Sequence, residues 1–246
     1  MAATLYEPIN IYKPLAPDIG IVDGPFEYFS VAGIHMPMPF TTRMTVVRLA
    51  NGSLFLHSPI AYDAGLAAEL TRMGPIRHLV SPNQWHYAHV GEWQRAFPDA
   101  IVWGSRAAER RARARHIPVC FDRYLEAAPP SEWSGELDQL LIPGGIFGEY
   151  VFFHRASATL ILTDTIMNLE PSKTDQPWLG FARLTGMVAP RGGLFFGLRM
   201  PLLLQRKKAK ATFATIRSWN PERIILAHGT IFETSVAETA NRVFGG

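Results

Sequence analysis

The stretch SPNQWHYAHVGEW, residues Ser81–Trp93, contains the pattern from which the fold can be predicted. It follows a short apolar run, Ile76–Val80, that is typical of a buried strand, and the amphipathic segment after Gly91 is typical of a helix. His86 and His89 therefore lie in a turn that joins a strand to a helix. In α/β folds such turns gather ligands and metals at the edge of a sheet. The two imidazoles can bind one cation, although a pair with this spacing also arises by chance among eight histidines.

Composition and length place the chain among globular proteins. Its 246 residues, of which 48% are hydrophobic and 18% charged, are enough for one large α/β domain or two small ones. A net charge of only +3 gives no electrostatic support for binding nucleic acid. Cys120 is the single cysteine, which excludes an internal disulfide and a thiolate metal cluster and fits a reducing compartment. Because the N-terminal residues also lack the pattern of a secretory signal, we expect a cytoplasmic protein.

Apolar patterning predicts a series of short strands and helices. Residues 1–30 are rich in proline and predict an extended arm with short strands. Met44–Leu49 and Ser53–Leu56 predict a hairpin, because both residues of the Asn51-Gly52 turn tolerate positive φ. The further predicted elements are, in chain order, a helix capped by Asp63, the strand Ile76–Val80, the helix Glu92–Phe97, the strand Ala100–Trp103, a helix capped by Ser105, the strands Leu137–Ile142, Tyr150–His154 and Thr159–Leu162, the helix Ala209–Trp219, the strand Arg223–Leu226 and the helix Glu233–Val243.

The segment from about residue 170 to 210 predicts a helical insertion. Within it, Met187–Leu204 is apolar but is interrupted by Pro190, Pro201 and two arginines, and a basic run follows. Its uninterrupted apolar portions are shorter than the roughly 20 residues that a membrane-spanning helix needs. A helical cover over the site, a plain packed pair of helices and an interfacial anchor with basic and apolar side chains all fit this pattern. The last interpretation predicts peripheral membrane contact through Gly192–Leu204.

Several polar residues lie at or just past the ends of short apolar strands. Strand ends at one edge of a sheet can converge in space although they are far apart in sequence. Imidazoles together with a carboxylate form a ligand set that suits Zn²⁺, Fe or Mn²⁺. The alternative is that each residue makes only its own local hydrogen bonds, and spacing alone leaves both interpretations open. The residues concerned are His57, His86, His89, Asp164 and His228.

The order of these units resembles the metallo-β-lactamase-like hydrolase superfamily from about Met44 to the C-terminus. His89-Val90-Gly91 is similar to the end of that superfamily's T-H-x-H-x-D-H motif. LILTDT, residues Leu160–Thr165, is similar to the strand whose Asp bridges the metals, and IILAHGT, residues Ile224–Thr230, to the last ligand strand. The resemblance implies an α/β (α+β) fold, a four-layer αββα sandwich, in a single domain spanning residues 1–246. A narrower similarity is to a branch of the superfamily that has no assigned reaction.

The chain departs from the superfamily pattern at four motif positions, so the usual two-metal site cannot be assembled. The residues that stand there are Gln84 for the first His, Ala88 for the motif Asp, His57 for the early Asp and Gly145 for the middle His. The resemblance instead implies a single transition metal, Zn or Fe. Its ligands would be His86, His89, Asp164 and His228, with His57 as a fifth ligand or as a partner that orients one of them.

This ligand set predicts a hydrolase of a small ester, lactone or similar substrate that uses a single metal-bound hydroxide. Asp164 would serve as a metal ligand and as the acceptor of the water proton. Because the motif Asp is lost, the prediction of catalysis is weakened more than the prediction of metal binding. The alternative is a catalytically inactive protein of this fold that binds an apolar ligand, a membrane surface or a protein partner. A third hypothesis is a redox role at a single iron.

Overall fold

The computed structural model describes residues 3–31, 34–175 and 178–245, and the larger of its two main sheets has seven strands in sequential order. Strands β2 and β3 form a long antiparallel hairpin, β3 and β4 are also antiparallel, and β4 to β7 run parallel. The strands of this sheet are β1 (Lys13–Ala16), β2 (Ile19–Val31), β3 (Ile34–Arg48), β4 (Leu54–His57), β5 (Ile76–Val80), β6 (Ile101–Gly104) and β7 (Arg123–Tyr124).

The smaller main sheet has four strands in the order β13-β10-β9-β8, and a separate ribbon pairs β11 with β12. In the four-stranded sheet the two central strands, β10 and β9, are antiparallel, whereas β10 and β13 are parallel. These strands are β8 (Leu137–Ile142), β9 (Glu149–His154), β10 (Thr159–Ile161), β11 (Ile166–Met167), β12 (Gly193–Leu194) and β13 (Arg223–Ile225). The helices are α1 (Ala64–Met73), α2 (Val90–Ala96), α3 (Arg106–Ala114), α4 (Trp178–Thr185), α5 (Arg199–Leu204), α6 (Arg206–Ser218) and α7 (Val236–Phe244).

Three hydrophobic cores separate four layers of secondary structure. The first joins the larger sheet to α1, α2 and α3, and it includes Met44, Leu70 and Trp93. The second lies between the two sheets, and the third joins the smaller sheet to α6 and α7. Each layer thus buries an apolar face against its neighbour. The predicted four-layer αββα sandwich is confirmed.

Short polar residues begin two helices as the sequence predicts. Asp63 accepts a hydrogen bond from the backbone N–H of Leu66 at 2.8 Å and begins α1. Ser105 accepts one from the backbone N–H of Ala108 at 3.0 Å and begins α3. Both caps satisfy donors that a helix leaves free in its first turn. The predicted hairpin of β3 and β4 is also confirmed.

The N-terminal region is more regular than its prolines suggest. The strands β1 and β2 lie almost entirely within the arm expected at residues 1–30, while residues 1–2 of that arm lie outside the described ranges. Pro25 lies where the pairing of β2 with β3 shifts register, between Gly24 and Phe26. Proline is tolerated at such irregularities because it has no N–H to donate to the ladder. The strand therefore continues through a residue that usually interrupts one.

The segment 170–210 is a mixture of short elements rather than a plain pair of helices. It contains α4, β12 and α5, together with single 3-10 turns, and residues 176–177 lie outside the described ranges. Gly186, at a φ of +73°, follows the end of α4, a conformation that favours glycine. Within the described ranges, no helix has the length and apolar character needed to cross a bilayer.

Candidate metal centre

Three of the predicted ligands come together from three strand ends. His86 lies in the loop between β5 and α2, Asp164 follows β10, and His228 follows β13. One ligand atom from each lies within 4.8 Å of the other two. Since β10 and β13 are parallel neighbours, their C-terminal ends meet at one edge of the smaller sheet. The loop after β5 adds His86 from the larger sheet, so the site joins both sheets.

The distances within this group match those of ligands around one small cation. Oδ1 of Asp164 lies 3.3 Å from Nε2 of His86 and 3.2 Å from Nε2 of His228. Ligand atoms in a tetrahedral zinc site with bonds of about 2.0–2.1 Å are about 3.3 Å apart. The side chains of the three residues are 12–16% exposed, so small molecules can reach the group from solvent.

Hydrogen bonds at the outer nitrogens fix both imidazole rings. The Nδ1–H of His228 donates to the carbonyl oxygen of Thr41 at 2.6 Å. Nδ1 of His86 lies 2.5 Å from Oγ of Ser58. A neutral imidazole that donates from Nδ1 presents the lone pair of Nε2 on its other side, which is the tautomer that a metal needs. The donor set and its orientation therefore fit a transition metal.

A buried carboxylate holds the backbone of the Asp164 loop. Glu149 is fully buried and accepts the backbone N–H groups of Thr163, Asp164 and Thr165 at 2.5, 2.7 and 2.9 Å. Burial and then the charge of Asp164 raise the pKa of Glu149 to about 7, although the N–H donors oppose this. The amide of Asn83 donates to Oδ2 of Asp164 at 2.7 Å. Both the backbone and the side chain of Asp164 are thus positioned by neighbouring polar groups.

A buried arginine holds the loop of His228. Arg43 is 5% exposed, and its Nη2 lies 2.7 Å from Oδ1 of Asp23. Its Nη1 donates to the carbonyl oxygens of Leu226 and Gly229 at 3.0 and 2.6 Å. These carbonyls lie on either side of His228 along the chain. The guanidinium therefore ties the loop to the centre of the larger sheet.

The three groups also stabilise one another electrostatically. Burial raises the pKa of Asp164, but His86 and His228 outweigh it and hold the pKa of that carboxyl well below its usual range. Burial lowers the pKa of His228, but Asp164 and the carbonyl of Thr41 outweigh it and raise that pKa above its usual value. The same side chains can therefore form an ion-paired network or a set of metal ligands.

The other two predicted ligands are not among the three residues whose ligand atoms converge. Nε2 of His89 is 2.7 Å from Oε1 of Glu27, and its Nδ1 is 3.3 Å from Oε2 of Glu92, so both ring nitrogens are engaged. His57 is buried with its ring 5.4 Å from that of Phe152, and its Nε2 has no hydrogen-bond partner among the described residues. Burial and then the charge of His86 lower the pKa of His57 to about 3, so its imidazole is neutral.

The structure also places Gln84 and Gly145, which stand where the resemblance predicts histidines, and it shows contacts that sequence reasoning missed. Gln84 donates its amide to the carbonyl oxygen of Ile146, and Gly145 lies in a 3-10 turn. The anchoring roles of Glu149 and Arg43 were missed. In the sequence, the role of Glu149 was indicated only by an acidic residue at the start of an apolar strand. Nothing in the sequence indicated the role of Arg43.

Comparisons with known proteins agree on the architecture. The model of a family described as "Domain of unknown function (DUF4336)" matches residues 30–108. No curated protein matches the chain. The solved structure of DIM-1 metallo-β-lactamase is similar with a TM-score of 0.64 and 11% identity, over 98% of this chain and 99% of that chain.

Two further solved structures resemble the chain over almost its whole length. FIM-1 metallo-β-lactamase from Pseudomonas aeruginosa, in its mono-zinc form, gives a TM-score of 0.61 and 12% identity over 99% of this chain and 96% of that one. A metallo-β-lactamase from Hirschia baltica gives 0.57 and 12% over 95% and 97%. At such identities the likeness establishes the architecture alone, and this protein has the metallo-β-lactamase fold.

Proposed function

We propose that this protein is a metal-dependent hydrolase of a small ester, lactone or similar substrate, with one transition metal, Zn or Fe, held by His86, Asp164 and His228. The observation that supports this most is the convergence of three ligand atoms within 4.8 Å of one another, with both imidazoles fixed from their outer nitrogens. Three protein ligands and an open position are the usual arrangement of catalytic zinc sites.

A metal bound here supplies Lewis-acid chemistry, which polarises a carbonyl group and activates water. Asp164 has two carboxylate oxygens, so one can bind the metal while the other accepts a hydrogen bond from the attacking water. The pKa of Asp164 lies below its usual range, so its carboxylate is a weak base. We therefore expect the carboxylate to orient the water molecule and not to take its proton. Asn83 holds the carboxylate in this orientation.

The residues present support one ion rather than two. Gln84 and Gly145 replace two histidines of the superfamily, and Ala88 replaces its aspartate. His89 is engaged by Glu27 and Glu92 on both ring nitrogens. A second cation would therefore lack a comparable ligand set within the described residues.

The test is elemental analysis for Zn, Fe and Mn in protein purified without a chelator. We expect one metal ion per chain, lost in His86→Ala and in His228→Ala. His89→Ala is the matched control and should keep the metal, because its ring pairs with Glu27 instead of facing the group. Absence of metal in the wild type after reconstitution would refute the proposal. Loss of metal in His89→Ala would instead support the set of four ligands that the sequence predicts, with His89 among them.

The ion-paired state of the three side chains supports a second candidate, an inactive protein of this fold that binds an apolar ligand or a partner. Asp164 is already paired with His86 and His228 at 3.2 Å, so the group is satisfied without a cation. Under this proposal, the wild type and the His86→Ala variant would both be free of metal. The same elemental analysis therefore separates the two functions.

Peripheral membrane contact through Gly192–Leu204 remains a further proposal, and charge supports it. Residues 176–221 contain eight basic and no acidic side chains, although the whole chain has a net charge of only +3. Met200, Leu203 and Leu204 are 63%, 64% and 78% exposed next to this basic run. Such a surface suits a bilayer with anionic lipid.

Sedimentation with vesicles tests this contact. We expect binding to phosphatidylcholine vesicles that contain phosphatidylglycerol, and its loss in Leu203→Glu/Leu204→Glu. Ile11→Glu, at a residue that is 46% exposed and lies before β1, is the control and should bind like the wild type. Equal recovery of the wild type and the double variant with the vesicles would contradict the proposal.

A further inference from the structure

A largely apolar cavity lies beside the candidate metal centre. Its cavity volume is about 60 Å³, so it suits a slender group and not a bulky one. Its walls come from β3, the strand β11 with the turn after it, α4 and the chain that follows β12. The apolar side chains that dominate them are Phe40, Met167, Leu169, Trp178, Phe181 and Phe195.

The cavity and the candidate metal centre share a wall. The ring of Phe40 lines the cavity, and its centroid lies 5.5 Å from that of His228. Thr41 also lines the cavity, and its carbonyl oxygen accepts the Nδ1–H of His228. Gly229, which directly follows His228 in the sequence, also lines the cavity. A molecule in the cavity would therefore lie next to the imidazole of a proposed ligand.

The polar groups of this cavity are already paired with protein atoms. Lys173 donates to the carbonyl oxygen of Leu5 at 2.6 Å, and its Nζ lies 5.3 Å from the centroid of the Tyr6 ring. Glu170 accepts a hydrogen bond from the hydroxyl of Thr230 at 3.1 Å. Both charges are therefore already partly satisfied by protein atoms. The remaining lining favours a neutral apolar group.

We propose that this cavity binds the neutral apolar acyl or alkyl chain of the substrate, while the reacting carbonyl lies at His86, Asp164 and His228. The inference rests on the proposed hydrolase function and narrows its substrates to esters or lactones that have an apolar chain. An aliphatic chain is favoured over a charged substituent for two reasons. Burying apolar area against the aromatic walls is favourable, whereas burying a charge without a full set of partners costs free energy.

A series of p-nitrophenyl esters with straight acyl chains tests the substrate class. We expect kcat/KM to rise about fourfold for each methylene added between acetate and octanoate. Phe196→Glu places a charge on a cavity-lining residue that is 44% exposed, and it should remove this rise. Leu184→Glu is the matched control, because Leu184 is 86% exposed and does not line the cavity. A rate that does not depend on chain length would overturn the proposal.

A binding assay separates the cavity from the chemistry. The neutral fluorophore N-phenyl-1-naphthylamine should bind to the wild type and to the Asp164→Asn variant, and methyl octanoate should displace it better than the octanoate ion. Binding should be lost in Phe196→Glu and kept in Leu184→Glu. Equal binding in all four proteins would overturn the proposal. If the fluorophore binds as expected but no ester is hydrolysed and no metal is found, the hydrolase function fails and the apolar site stands.

Discussion

Replacing Arg43 by Met tests how the loop that holds His228 is positioned. Nε and Nη2 of Arg43 pair with Oδ1 of Asp23 at 2.8 and 2.7 Å, while Nη1 donates to the carbonyl oxygens of Leu226 and Gly229. Methionine is also a long, flexible side chain, but it has no donor to offer. The substitution therefore leaves a buried carboxylate with fewer partners and two carbonyl groups unpaired.

The expected cost follows from these contacts. Removing one partner of a buried ion pair costs about 3–5 kcal/mol, because the other charge stays buried. Lys13 remains 2.8 Å from Oδ2 of Asp23, which reduces this cost, whereas the unpaired carbonyls of Leu226 and Gly229 add about 1–3 kcal/mol each at most. We expect the free energy of unfolding to fall by about 3–5 kcal/mol.

Arg48→Met is the matched control, on the same strand. Arg48 has a side chain that is 48% exposed, and it lies 3.6 Å from Asp18, so its loss should cost less than about 1 kcal/mol. Urea denaturation followed by tryptophan fluorescence measures both variants, and competition with a chelator measures zinc affinity, which should weaken at least tenfold in Arg43→Met alone. If both variants unfold at the same urea concentration with equal slopes, the buried network contributes no more than a surface pair, and the reasoning is refuted.

Three shorter predictions concern other buried polar groups. Ser58→Ala should weaken zinc affinity by about 10–100-fold in chelator competition, because His86 loses the partner of its Nδ1; unchanged affinity would contradict this. Glu149→Gln should lower the free energy of unfolding by about 2–4 kcal/mol, because an amide NH₂ must face a backbone N–H; an unchanged urea midpoint would exclude this anchoring role. Burial lowers the pKa of His78 from its ordinary value of 6.5 to about 4. Between pH 6.5 and pH 4 the imidazole is therefore protonated in the unfolded chain but not in the folded protein, and the free energy of unfolding falls as the pH drops. The stability difference between the wild type and His78→Gln should therefore change by about 3 kcal/mol from pH 7 to pH 4, and a constant difference would be inconsistent with this.

The elements around the site could be predicted because their signals are local. An apolar run bounded by turn residues defines β5, which has the predicted bounds Ile76–Val80, and the side chains of Asp63 and Ser105 begin helices by bonding to backbone N–H groups nearby. The N-terminal hairpin depends on pairing between strands instead. Only the register of β2 against β3 reveals that Pro25 lies at an irregularity and does not end the strand.

Convergence of ligands was predictable only in part, because spacing does not set the direction of a side chain. His86 and His89 are three residues apart, but the chain enters α2 directly after His89. The ring of His89 therefore points toward Glu27 on β2, while the ring of His86 points toward Asp164. Nothing in the sequence near His89 indicated Glu27 as its partner, since that residue is 62 positions away.

The anchors of the site explain how three side chains from distant parts of the chain converge. Each ligand loop is held by a polar group from a part of the chain outside that loop: Ser58 for His86, Glu149 for Asp164, and Arg43 for His228. None of these anchors occupies a ligand position of the motif. Gln84 and Ala88, which would be ligands if the resemblance held in full, are therefore not needed to hold the three loops. The geometry of the remaining three depends on buried hydrogen bonds, and those bonds determine whether the site is ordered enough to bind a metal.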